Sequence, residues 1–425
     1  LTPLRPEAIA IMTPEKGLSC VPPHVRVAIV HDWLYTVGGA ERVLAAMLRV
    51  LPQADVFCLF DLLSEEGRAS IGLRGSTTSF LQRMPLLRKR HRLYLPLMPI
   101  AVEQFDLSGY DLVVSSSYAV AKGVLTGPVQ LHLSYVHSPM RYAWDLQHQY
   151  LRETKVAGGI KGALARSLLH RMRLWDTRTA HGPDAYIANS AFVAWRIRKV
   201  YGREAEVIHP PVRVPAVFKP AKKERFFLTA SRLVPYKNVH LIVEAFRQLP
   251  DERLLVAGDG PELARLRAMA GPNVSFLGHV PDEELRALMA AARAFIFAAE
   301  EDFGIVPVEA QAQGTPVVAL GRGGLCETII TTGPQPTGMF FDRPDPQAIA
   351  ATLDLFMQIE PLFLPEACHA NAQRFAEARF DAAFGASVRR HYDAFRARVD
   401  GARARPLPDV TPEREAAREV VGGLV

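Results

Sequence analysis

The stretch AFIFAAEEDFGIVPVEAQAQGTPVVA, residues 294–319, decides how this chain is read. Residues 294–297 are apolar and short, the pattern of a strand buried on both faces. Residues 306–313 suit a helix, with Pro307 at an early position where a missing N–H is tolerated. Residues 316–319 are a second buried strand. Strand, loop, helix, strand is the unit of a parallel α/β sheet. The loop ends in Phe303-Gly304-Ile305, whose backbone amides face outward at the helix start. Such amides have no partner inside the helix and stand at the positive end of its dipole, so they attract anions. Glu301 lies in the loop and Glu309 about one turn into the helix, so two carboxylates can reach one ligand at two points. The plainer alternative is a solvated acidic loop and a helix-surface glutamate.

The same alternation extends outward. Strand patterns stand at 226–231, 253–257 and 274–277, with helical patterns at 238–249, 261–269 and 282–292. The first half opens alike: VRVAIVH at 25–31 reads as a strand, Gly38-Gly39 closes the loop, and 41–51 has helical spacing. Further strands are expected at 55–60, 112–115, 132–136 and 185–187. His209-Pro210-Pro211, with Pro215 and Pro220 beyond, reads as a linker. The expected fold class is α/β, with two doubly wound, Rossmann-like domains at 25–212 and 213–374. A loose extension (1–24) precedes them. A helix at 375–399 is expected to pack back on the first domain, before a mobile tail at 400–425.

Composition narrows the function classes. The 425 residues are 49% hydrophobic and 22% charged, with a formal charge of +6. No Lys/Arg tail is interleaved with aromatics, which argues against a nucleic-acid partner. Cys20, Cys58, Cys326 and Cys368 are scattered, as isolated reduced thiols are. No apolar run reaches about 18 residues, and 1–24 lacks a signal peptide's apolar stretch, so a cytoplasmic protein is expected. Asp-x-Asp occurs nowhere, so no metal is expected on donor phosphates; protein cations and helix amides would do its work.

Several motifs together resemble the family-4 retaining glycosyltransferases of the GT-B fold. They are SRLVPYKN (231–238), LLVAGDGPE (254–262), VSFLGHVPDEEL (274–285) and EDFGIVPVEAQAQGTPVVA (301–319), in the family's order. VHSPMRYAWD (136–145) is similar to bacterial mannosyltransferases of exopolysaccharide and O-antigen assembly. The resemblance implies two domains facing across a cleft, with the nucleotide sugar on the second and the acceptor on the first. It implies that Glu301 touches the donor sugar and Glu309 the ribose hydroxyls. Arg232 and Lys237, five positions apart after a strand, would clamp the diphosphate and stabilise its charge on leaving. Gly38 and Gly39 would face the diphosphate, and Gly278, His279 and Val280 would lie beside the base. His137 would stand near the transferred sugar, with Arg141, Tyr142, Trp144 and Asp145 on the acceptor side; Trp144 could equally be core. The donor leans toward GDP-mannose, with a UDP-sugar as the alternative. An inactive sugar-nucleotide-binding or scaffold protein stays open as a different class.

Residues 82–100 (QRMPLLRKRHRLYLPLMPI) and 158–175 (GGIKGALARSLLHRMRLW) mix basic and apolar side chains. Either could lie on an anionic bilayer or simply pack on the protein. The expectation is peripheral attachment to the inner face of the cytoplasmic membrane and a polyprenyl-diphosphate-linked saccharide acceptor.

Overall fold

The computed structural model describes residues 19–153 and 158–403. Strands β1 (Val27–His31), β2 (Asp55–Cys58), β3 (Thr77–Thr78), β4 (Leu112–Ser117), β5 (Leu131–Val136), β6 (Ala185–Ala188) and β7 (Ala205–Val207) form one sheet in the order β3-β2-β1-β4-β5-β6-β7. Strands β8 (Phe227–Ala230), β9 (Leu254–Ala257), β10 (Val274–Gly278), β11 (Phe295–Phe297), β12 (Val317–Leu320) and β13 (Gly338–Phe341) form a second, in the order β10-β9-β8-β11-β12-β13. Every pairing is parallel. Helices cover both faces of such a sheet, which is why β1, β4, β5, β8 and β9 are buried along their whole length.

Strand order reverses between β1 and β4 in the first sheet and between β8 and β11 in the second. At a reversal, the loops leaving adjacent strands diverge and open a crevice at the carboxyl ends. The motifs that follow β1, β5, β8 and β11 all leave their sheets at that end.

The helix Glu377–Arg403 completes the first domain's core. Phe380, Phe384, Val388, Tyr392, Phe395 and Val399 share one apolar cluster with Val27, Leu44 and Met47. Their spacing of three or four residues lays one stripe along the helix. Arg49 adds a two-pronged bond to Asp381, 3.0 Å on each arm. The chain crosses between the domains twice at one place, where the N–H of Val212 donates to the carbonyl of Phe375 at 2.8 Å.

The structure alters some expectations. The extension read as loose is already packed over 19–24: Val21 is buried, and the N–H of Cys20 donates to Val50. Apolar Val21 belongs to the same core as the last helix, and so orders its neighbours. That helix runs to Arg403, past the end expected at 399. What was expected of 1–18 and 404–425 lies outside the described residues. Strands β3 and β13 had no sequence signal: one is two residues long, and the other, GMFF, begins with glycine. Among the described residues, no single helix is long and apolar enough to cross a membrane.

Candidate active site

The acidic loop after β11 is held from behind by backbone. Glu301 bridges Gly323, and the N–H of Gly324 donates to the carbonyl of Glu301 at 2.8 Å. A Cβ on Gly323 would overlap the carbonyl oxygen of Glu301. Gly304, at φ 89°, starts the helix Ile305–Ala312 in a left-handed conformation that glycine adopts without strain. The Phe303 side chain is buried against His209 and Phe375, and so anchors the turn. The N–H groups of Phe303, Gly304 and Ile305 have no acceptor among the described residues. Opposite them stands the first domain's glycine loop: a Cβ on Gly39 would come within 2.9 Å of Cδ1 of Ile305.

Lys237 closes the short turn Pro235–Lys237. Asn238 follows in the left-handed region (φ 55°), and its Nδ2 donates to the carbonyl of Ala298 at 3.1 Å. That anchor beside β11 brings the Lys237 Nζ onto Oε1 of Glu301. Burial disfavours the Lys237 ammonium, but the charge and hydrogen bond of Glu301 outweigh it and raise its pKa. Arg232 is exposed and makes no ion pair among the described residues. Burial, then the charges of Arg92 and Arg232, hold His91 below the usual imidazole value.

Glu309 is paired with Arg42, which belongs to the first domain's helix Gly39–Val50. Burial pushes the Glu309 carboxyl up, while Arg42 opposes the shift. Both glutamates of the motif therefore carry a cation, one from each domain. Gly278 ends β10 at φ 71°, and its carbonyl accepts from the N–H of Gly258 at 2.7 Å. His279 is exposed, whereas the Val280 side chain is buried, which leaves Val280 only its backbone to offer. No hydrogen bond or ion pair among the described residues joins 278–280 to Glu301, Lys237 or Arg232.

His137 directly follows β5. Its N–H donates to Ser117 at 2.8 Å, and its carbonyl accepts from Nδ2 of Asn189 at 2.9 Å. Burial, with His31 adding to it, pushes the His137 imidazole down to about 3, so the ring is neutral at ordinary pH.

The segment after His137 makes contacts that the sequence did not show. Arg141 crosses to the second domain's acidic loop, 3.5 Å from Asp302 and 3.7 Å from Glu300. Arg196 joins it, 3.3 Å from Asp302, and also pairs with Asp145. Trp144 is tied to the interior: its indole N–H donates to Asp176 at 2.7 Å, and Asp176 is buried against Lys122 at 2.8 Å. The indole N–H of Trp144 is thus spent on the interior, while the partly buried ring packs on the first domain's apolar cluster. Glu327 of the second domain accepts from the N–H groups of Ala191 and Phe192 at 2.8 and 2.9 Å. These amides open the helix Ala191–Tyr201, so a carboxylate from one domain caps a helix of the other.

Two parallel-sheet Rossmann-like domains, with a cationic and glutamate-lined cleft between them, define the GT-B class. Residues 37–214 match the family model "Glycosyltransferase Family 4", and residues 214–375 match "Glycosyl transferases group 1". The chain belongs to the family-4 glycosyltransferases. It is 31% identical over 218 residues to the GDP-mannose-dependent alpha-(1-6)-phosphatidylinositol monomannoside mannosyltransferase of Mycolicibacterium smegmatis, covering 44% of this chain and 56% of that protein. It is 24% identical over 270 residues to the alpha-1,3/1,6-mannosyltransferase alg2 of Schizosaccharomyces pombe, covering 52% and 51%. The chain thus spans about half the length of the curated relatives it matches. Among solved structures it resembles Anabaena HepE in complex with UDP and glucose: TM-score 0.63, 19% identity, 86% of this chain and 99% of that one. That likeness concerns the fold.

Proposed function

We propose that this protein is a retaining hexosyltransferase that moves mannose from GDP-mannose onto a lipid-linked saccharide, with no metal ion required. The observation that carries the reading is the Lys237–Glu301 pair beside the open amides of 303–305, with Gly39 pressed against that helix start. Lys237, Arg232 and the amides take the negative charge that grows on the leaving diphosphate, in a site partly shielded from water. Glu301 accepts hydroxyls of the donor sugar. Glu309 keeps Oε2 for the ribose, since Arg42 pairs with Oε1. His137 faces the transferred sugar. The acceptor hydroxyl attacks from the face the diphosphate leaves, which retains configuration. The mannosyl assignment draws on the mannosyltransferases among the relatives and on the motif at 136–145.

A thermal-shift panel of GDP-mannose, UDP-glucose and dTDP-glucose, run with EDTA, tests the donor. GDP-mannose should raise the melting temperature most, because ligand at about 100 times its Kd adds about 2.7 kcal/mol. A larger shift with UDP-glucose moves the assignment to UDP-sugars. Binding without donor hydrolysis or transfer marks a nucleotide-sugar-binding protein instead.

We also place the enzyme peripherally on the inner face of the cytoplasmic membrane, with a polyprenyl-diphosphate-linked acceptor. Ile160 and Leu164 are 81% and 66% exposed on the helix Gly159–Thr179, beside Lys161. Leu86 and Leu93 are 61% and 67% exposed beside Arg88, Lys89, Arg90 and Arg92. Exposed apolar side chains among basic ones suit an anionic bilayer surface. The protein should sediment with anionic liposomes at low salt and be released at high salt. Full solubility at low salt refutes the attachment.

A further inference from the structure

Behind His137, polar side chains form a line across the sheet, beside a second buried pair, His132 and Ser115. Glu41 stands in the first turn of the helix Gly39–Val50; its Oε2 accepts the N–H of Gly38 at 2.9 Å. Its Oε1 lies 3.8 Å from Nε2 of His31, the buried last residue of β1. Nδ1 of His31 is 3.0 Å from Oγ of Ser116, and that oxygen is 2.9 Å from Nε2 of His137. Ser116 is fully buried, and it is the register partner of His31 on β1 and of Tyr135 on β5. The rings of Tyr118 and Tyr135 flank His137, but their hydroxyls donate to Trp33 and Ile208. Asp32, also close, is occupied by the amides of residues 118–121.

The protons along this line can be counted. Nε2 of His31 makes no hydrogen bond, but it faces the Glu41 carboxylate at 3.8 Å, which only accepts and so favours the ring proton on that nitrogen. Nδ1 of His31 is then bare and takes the single hydroxyl proton of Ser116. The Ser116 oxygen must accept on its other side, so Nε2 of His137 carries the proton. Nδ1 of His137 is left as an acceptor, with no hydrogen-bond partner among the described residues.

We propose that Ser116 and Glu41 are positioning residues that hold His137 as the Nε2–H tautomer, so that its Nδ1 accepts a hydrogen bond from a hydroxyl of the transferred sugar. This rests on His137 facing that sugar, as read above. In this form the imidazole orients a hydroxyl and gives no proton to the leaving diphosphate. The same Glu41 carboxylate holds the Gly38 amide, so the donor loop and the tautomer of His137 are set by one side chain.

The test is nitrogen NMR of the full chain labelled with 15N-histidine, with His137 assigned by its loss in His137→Gln. In the unmodified protein Nε2 of His137 should be protonated and Nδ1 bare. Glu41→Gln has one oxygen, taken by Gly38, so its amide N–H turns toward His31; every bond in the line reverses and the proton moves to Nδ1 of His137. Ser116→Ala uncouples the two rings and should give mixed tautomers, while Ser116→Thr restores the original form. In transfer assays Ser116→Ala and Glu41→Gln should each lower kcat about tenfold with donor KM nearly constant, and Ser116→Thr should recover it. A protonated Nδ1 in the unmodified protein, or an unchanged tautomer in Glu41→Gln, overturns the proposal. If the tautomers behave as stated but His137→Gln transfers at full rate, the line stands and the sugar contact falls.

Discussion

Lys237→Ala should lower turnover by about two to three orders of magnitude, the cost of removing one preorganised charge from a developing anion. The substitution also leaves Glu301 without its cation. Its neighbours Glu300 and Asp302 keep Arg141 and Arg196, so the loss falls on Glu301 and on the diphosphate beside it. Lys237→Arg should not restore the rate. The ammonium is a compact point charge reached through a tight turn, and a planar guanidinium presents its donors elsewhere. Steady-state kcat and donor KM for both variants check this. Turnover of Lys237→Ala within about threefold of the parent protein removes the residue from the diphosphate site.

Gly324→Ala should disturb the site strongly without touching a charge. Its φ of −65° suits any residue, so the obstacle is purely steric. The new Cβ would stand 2.6 Å from Cα of Phe303 and closer still to the carbonyl oxygen of Asp302. Both are backbone atoms, so no side chain can swing aside; the acidic loop itself must move, and it carries Glu301. We expect a stability loss of about 1–3 kcal/mol, as for other overpacked sites, together with loss of the donor-induced thermal shift. Gly75→Ala, with open space around its Cβ, serves as the control. A Gly324→Ala protein that melts and responds to donor like the control would show that the loop has slack.

The site was partly legible in the sequence because its chemistry sits at element ends. Apolar runs of four to six residues give strands, the glycines and Pro307 mark turn and helix start, and each site motif follows a strand directly. Lys237 and Glu301 could be assigned to one cleft through the family resemblance, and both follow strands at the carboxyl end where parallel α/β sheets open their crevices. The charge partners could not be read. Arg42 and Glu309 are 267 residues apart, and ion pairs between domains leave no spacing signature. Arg141 was expected on the acceptor side, yet it meets the acidic loop because cations from the first domain and carboxylates from the second face each other across the cleft. The line through His31 and Ser116 had one faint signal: serines at 115–117 in a strand buried on both faces, where every polar atom needs a partner.

The sequence by itself determined the two α/β units, the helix start that draws anions, and the glutamates and cations around it. Periodicity and helix-end chemistry are local, and so they are written in neighbouring residues. Tertiary structure alone decided which carboxylate meets which cation, that Trp144 is spent on Asp176, and that Ser116 stands between two imidazoles. Those pairings follow from strand register and from how two domains meet, and both are set by packing over the whole chain.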